Sequence, residues 1–164
     1  MEILSTLKNK VISAVEILQK QEILPSGLNK SLITVEKPKD ESFGELSTNV
    51  SMVLAKDAGI RPRDLAAKIV DILKEDEMIS STSIAGPGFI NFRLYKKIWI
   101  KLVKKILEDG EKFGFKNIGE NKKVNIEFVS ANPPGPLHVG HTRGAIFGDV
   151  LANLLNNVGF VVTR

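Results

Sequence analysis

The chain has no cysteine, so disulfide frameworks, thiolate zinc sites and cysteine nucleophiles are excluded together. Such a composition suits a reducing compartment. No apolar run approaches the roughly 20 residues that cross a bilayer, and Met1-Glu2-Ile3-Leu4 lacks the basic stretch and cleavage site of a secretory signal. The expectation is a soluble, cytoplasmic protein with no membrane partner. Charge of one sign is scarcely in excess: 23 Lys+Arg against 19 Asp+Glu over 164 residues leave +4, modest beside a dedicated nucleic-acid binder yet compatible with a polyanionic partner. The G-x-x-x-x-G-K-[ST] and G-x-G-x-x-G phosphate-binding fingerprints are both missing, and there is no internal repeat or low-complexity tract. Two histidines, with neither a third nor a cysteine, do not fill a tetrahedral zinc site, and no protein-bound metal is expected.

What is present is 43% apolar sequence, enough for at least one core. Leu4, Leu7, Val11, Ala14, Val15 and Leu18 recur at helical spacing, with Lys8, Lys10, Glu16 and Lys20 opposite, until Leu24-Pro25-Ser26-Gly27 stops the run. Residues 32–36 are strand-like and β-branched. Residues 46–56 and 62–74 predict helices separated by Asp57-Ala58-Gly59-Ile60, the second opened by Pro62. Residues 81–85 and 89–94 flank Gly86-Pro87-Gly88 as in a hairpin. A further helix over 96–109 places Ile98, Leu102 and Ile106 on its buried side and ends at Gly110. Together these segments predict an α+β domain over residues 1–110 with a mostly antiparallel sheet. The charged, glycine-containing residues 111–123 read as a linker or loosely packed connection.

Residues 124–164 differ in kind. A strand over 124–129, a rigid loop over 130–136, a helix over 139–157 with Ile146, Val150, Leu154 and Val158 periodic, and a second strand over 160–163 follow in order. That is how a parallel, Rossmann-like nucleotide-binding sheet begins. One such unit cannot bury both faces of its sheet, so this second domain is expected to be incomplete.

The chemistry concentrates in Ser130-Ala131-Asn132-Pro133-Pro134-Gly135-Pro136-Leu137-His138-Val139-Gly140-His141. Prolines stiffen a loop leaving a strand, and the next helix opens where two histidines lie three apart. Free N–H groups and the helix dipole favour phosphate there, and Gly140 lets a nucleotide approach the backbone. Imidazole donors at such a site can stabilise charge growing on a phosphate in flight without moving a proton. The alternative is an ordinary surface pair on a helix. Gly140, Gly144 and Gly148 repeat every fourth residue, a smooth stripe suited to close packing on a sheet.

Two stretches resemble one family. Glu127-Phe128-Val129-Ser130-Ala131-Asn132-Pro133, then Gly135-Pro136-Leu137-His138-Val139-Gly140-His141, then Arg143-Gly144-Ala145, resemble arginyl-tRNA synthetase, with Val139 replacing the Ile of the class I His-Ile-Gly-His signature. Upstream, Phe43-Gly44-Glu45, Thr48-Asn49 and Gly86-Pro87-Gly88-Phe89-Ile90-Asn91-Phe92 resemble the N-terminal additional domain of the bacterial-type enzyme, so the likeness covers essentially the whole chain. Glu45 stands where that family more often has Asp, and Pro134 where Thr or another residue is common.

The resemblance implies ATP-dependent activation of L-arginine to arginyl-adenylate and its transfer to arginine tRNA, with ATP and Mg²⁺ entering as a substrate complex. His138 and His141 are then the catalytic pair, with Pro136, His138, Gly140 and His141 binding ATP and Glu127, Ser130 and Asn132 holding arginine. A carboxylate suits a cationic substrate, although Glu127 taken alone reads first as a solvated or core-edge strand carboxylate. Phe89 and Asn91 would meet the D-loop of the tRNA, the aromatic by stacking and the amide by reading a base edge. Phe89 taken alone is equally a core residue. Lysines 96, 97, 101, 104 and 105 fit either phosphate tracking or a solvated helix face. The family's second signature loop, of Lys-Met-Ser-Lys type, would lie beyond Arg164, so this chain alone, expected as a monomer, is expected not to form adenylate. Two rival expectations are a stand-alone tRNA-binding module and an inactive structural fragment.

Overall fold

The computed structural model describes residues 2–131 and 135–164. The chain divides into two compact units, Met1–Lys104 and Lys105–Arg164.

The first unit opens with α1 (Glu2–Lys20), whose Leu7, Val11, Ala14, Val15 and Leu18 are buried as the helical spacing predicts. The chain then forms β1 (Val35–Glu36), a 3₁₀ turn, β2 (Leu46–Thr48), α2 (Val50–Ala58), α3 (Pro62–Leu73), β3 (Ile79–Ala85), β4 (Phe89–Leu94) and α4 (Lys96–Asp109). Pro62 starts α3, where its missing N–H would have had no helical partner, and Gly59 ends α2 in the left-handed conformation. The sheet runs β1-β2-β4-β3 with every pair antiparallel, in agreement with the expected antiparallel α+β architecture. One face carries Leu46, Thr48, Ile90, Phe92 and Leu94 into a core shared with α1, α2 and α3.

Three expectations for this unit are corrected. Residues 46–48 form a strand rather than the first turn of a helix. All three side chains are buried, with Leu46, Ser47 and Thr48 opposite Phe92, Asn91 and Ile90, and the long-range pairing overrides the local helical pattern. Of residues 32–36 only Val35 and Glu36 pair in the sheet. In α4, Ile98 and Trp99 pack on the core, but Ile106 is exposed, because the helix runs past the end of the first unit.

Glu45 fastens the middle of this unit. Its N–H donates to the Phe92 carbonyl at 2.9 Å. Its carboxylate accepts from the Leu94 N–H at 2.5 Å and from Trp99 Nε1 at 2.9 Å, tying α4 to the sheet. Asn49 performs the same service on the other side of β2, accepting from the Thr34 N–H and donating to the Leu32 carbonyl.

In the second unit β5 (Lys123–Asn125) and β6 (Val161–Thr163) pair in parallel through α5 (Val139–Asn157). The expected strand over 124–129 is cut short: Ile126 still donates to the Thr163 carbonyl, and the chain then leaves the sheet before Glu127. Residues 116–121 are not a loose connection. Lys116, Gly119 and Asn121 donate to the carbonyls of Asn157, Val158 and Gly159, and a Cβ on Gly119 would lie 2.4 Å from the Phe160 nitrogen. Among the described residues no helix is long and apolar enough to cross a membrane.

Replacing Glu45 with Ala removes the acceptor of two partly buried donors and is expected to cost ~2–3 kcal/mol. Gln, which accepts through one atom only, should cost about half as much. Urea titrations at constant m-value measure both, and equal stability of all three proteins would show that the fastening is superficial.

Candidate functional site

The face of the first sheet opposite the core carries a polar ladder. Glu36 lies opposite Ser47, Ser47 opposite Asn91, and Asn91 opposite Ser83, so one row crosses all four strands. Above it is a concavity of about 600 Å³, lined by Glu36, Ser47 and Asn91 from the ladder, by Phe43 and residues 37–40 from one side, and by residues 85–87 and Phe89 from the other. Phe43 and Phe89 are part-exposed, so two aromatic rings line a polar hollow. Asn91 is 3% exposed and its Nδ2 has no hydrogen-bond partner. A buried amide donor without an acceptor carries an unmet desolvation cost.

The charged rim is largely self-satisfied. Asp40 accepts from the Ser42 N–H at 2.8 Å, and its carboxyl is held below the usual range by its hydrogen bonds with Ser42, first the side chain and then the backbone. This cap is complete above the ordinary carboxylate range and is lost as pH falls through the lowered value. Glu41 is lowered in the same sense by its hydrogen bond and charge attraction to Lys37, 2.7 Å away.

The second unit holds the histidines. His138 is the N-cap of α5, and its Nδ1 accepts from the Gly140 N–H at 3.1 Å, while His141 Nδ1 accepts from the His138 N–H at 3.1 Å. Each imidazole is thereby committed at Nδ1, so the neutral ring carries its proton on Nε2. The ring centroids are 4.0 Å apart at 43°. The result is a pair of oriented Nε2–H donors at the positive end of a 19-residue helix. The first-turn donors are thus not all free, as the spacing alone suggested, since the Gly140 N–H is taken by its neighbour's ring. Gly140 is required here for a further reason: a Cβ would lie 2.9 Å from His138 Cε1.

Ser130 donates to Glu127 at 2.9 Å, joining two of the three residues assigned to arginine. Val129 between them has φ +60°, a strained value for a β-branched residue, and its carbonyl accepts from the Ala131 N–H in a tight turn. Asn132, with Pro133 and Pro134, lies outside the described residues; Pro136 is exposed just ahead of His138. The glycine stripe divides: Gly148 is pressed on the Phe128 ring, where a Cβ would lie at 2.1 Å, whereas Gly144 faces open space. Val139, Ile146, Phe147 and Val150 leave an exposed apolar face on α5.

Phe89 and Asn91 share one hollow, as wall and floor. Phe43 and Ser47 share it with them, and no sequence motif marks either as a site residue. Alternation along the strand 46–48 is the signal that puts Ser47 beside Asn91.

Residues 2–94 match the family described as arginyl tRNA synthetase N terminal domain, and residues 102–164 match the class I (R) tRNA synthetase catalytic domain. The chain is 48% identical over 164 residues to the arginine–tRNA ligase of Jannaschia sp. (strain CCS1), covering all of this chain and 28% of that one. It is 52% identical over 155 residues to the enzyme of Nitrobacter winogradskyi, covering 94% of this chain and 26% of the relative. It therefore spans about a quarter of the length of these relatives. Thermus thermophilus arginyl-tRNA synthetase superposes with a TM-score of 0.66 at 25% identity, over 97% of this chain and 24% of its own. The Plasmodium falciparum enzyme shares the fold, with a TM-score of 0.73 at 22% identity over 99% of this chain and 30% of its own.

Gly140→Ala should displace the His138 ring, and Gly144→Ala should not. Nitrogen-15 spectra of the imidazoles are expected to show the Nε2–H form at residue 138 lost or mixed in the first variant and intact in the second; unchanged spectra in both would contradict the geometry.

Proposed function

The chain belongs to the arginyl-tRNA synthetase family, and from this we propose that it is the N-terminal part of an arginine–tRNA ligase. On this proposal residues 1–110 are the additional domain that meets the outer corner of arginine tRNA on its D-loop side. Residues 124–164 begin a Rossmann-like catalytic domain, joined through 111–123. The parallel β5-α5-β6 unit and the exposed apolar face of α5 support a larger sheet around it.

In the proposed reaction the arginine carboxylate attacks the α-phosphorus of ATP, pyrophosphate leaves, and a 3′-terminal ribose hydroxyl of the tRNA then attacks the acyl carbon as AMP leaves. Mg²⁺ accompanies the ATP phosphates as part of the substrate. His138 and His141 donate through Nε2–H to phosphate oxygens and stabilise charge without exchanging protons, which suits rings whose Nδ1 atoms are committed to the backbone. Pro136 and Gly140 border the nucleotide. Glu127, oriented by Ser130, pairs with the cationic substrate, and the family likeness gives Asn132 a share in the same role. The protein works in the cytoplasm as a monomer.

The observation that carries the tRNA half is the buried, unpartnered Asn91 amide beneath Phe89 and Phe43. An unpaired base supplies a face for the rings and an acceptor for the amide. Phe89→Ala is expected to weaken binding of arginine tRNA about tenfold or more, given ~1–3 kcal/mol per stacked base. An altered D-loop should weaken it similarly, and titrations at two salt concentrations separate this from phosphate attraction. Equal affinity of the variant and the altered tRNA to the wild types would overturn the proposal.

A further inference from the structure

The turn 86–88 supplies one wall of the hollow, and its own backbone contributes one bond, from the Gly88 N–H to the Ala85 carbonyl at 3.1 Å. Gly86 and Pro87 are exposed, and Gly86 and Gly88 have φ +50° and +150°, conformations that leave a hairpin tip permissive. Three contacts from the helices arrest it. Gly88 is buried against Pro62, where a Cβ would lie 3.0 Å from the proline Cβ. The buried Ser51 hydroxyl donates to the Gly88 carbonyl. Arg63 Nη1 donates to the Gly86 carbonyl at 2.8 Å.

We propose that Arg63 is a positioning residue for the RNA-binding hollow: its guanidinium holds the Gly86 carbonyl, and through the turn it sets the orientation of Phe89. This rests on the reading of the hollow as a tRNA site. Among the described residues Arg63 has no carboxylate partner, since the nearby Asp64 is engaged by Arg61. The carbonyl therefore receives an undivided, charge-assisted hydrogen bond. Arg63 is itself exposed while Leu65, Ala66 and Ile69 of the same helix are buried. Its removal takes away one of the three restraints on the turn and none of the buried contacts of α3. Ser51 and Gly88 act on the same tip but lie in the interior, so substitutions there mix positioning with folding.

The test uses the full chain with arginine tRNA. Arg63→Ala is expected to weaken binding about fivefold, with the melting temperature and the salt slope unchanged, and Arg63→Lys to recover most of the loss. The double variant with Phe89→Ala should bind no worse than Phe89→Ala alone, because the arginine acts through that ring. In the free protein, amide relaxation at Gly86, Gly88 and Phe89 should show greater motion in Arg63→Ala. A salt slope reduced by about one with additive losses would overturn the proposal in favour of a direct phosphate contact. Full affinity in Arg63→Ala while Phe89→Ala binds weakly would overturn it and leave the tRNA site standing. Full affinity in both would overturn both.

Discussion

The register of β2 against β4 is the constraint on which the first unit depends. With Leu46 opposite Phe92 and Thr48 opposite Ile90, apolar side chains enter the core and the Glu36-Ser47-Asn91-Ser83 row faces outward. A slip of one residue by β2 would flip its side chains, turning Ser47 toward the core and Leu46 and Thr48 away from it. Several groups hold the register from its ends. Gly44, at φ +127°, brings its backbone so near the Phe92 carbonyl that a Cβ would lie 2.8 Å from that oxygen. Thr48 Oγ1 donates to the Thr34 carbonyl, and Asn49 bridges the same segment. A strand of three residues is too short to hold its place by ladder bonds alone, and these side-chain contacts make up the difference.

The two units reach functional geometry by different routes. In the first, sheet alternation buries an amide at the floor of a hollow and leaves its donor unused, while the helices steady the turn above it. In the second, imidazoles cap their own helix and so point a defined nitrogen away from the backbone. Both arrangements fix polar donors within the fold, and on the proposed function they would meet a ligand with little reorganisation.

Much of this was legible from residue order. The alternation in Phe89-Ile90-Asn91-Phe92 already separates a core face from a site face, and the His-x-x-His spacing at a helix opening puts two rings together. The helix over 139–157 and the parallel strand pair followed from local pattern and turn signals. What could not be read was decided at long range. Leu46-Ser47-Thr48 runs into an apolar helix without a turn signal, and only its partners 35–36 and 90–92 make it a strand. Gly144 and Gly148 look alike in sequence, but Phe128 meets only the second. The commitment of both Nδ1 atoms and the isolation of Asn91 Nδ2 are matters of ångströms that no spacing reveals.

On the proposed function, the buried Asn91 amide is a donor that takes its acceptor from RNA. Its side-chain N–H resonances, followed by nitrogen-15 NMR during titration with arginine tRNA, test this most directly. The account predicts a downfield shift and slowed solvent exchange of these protons with the intact tRNA, and neither with a D-loop-altered one. Binding that moves resonances elsewhere and leaves the Asn91 amide unchanged would contradict it.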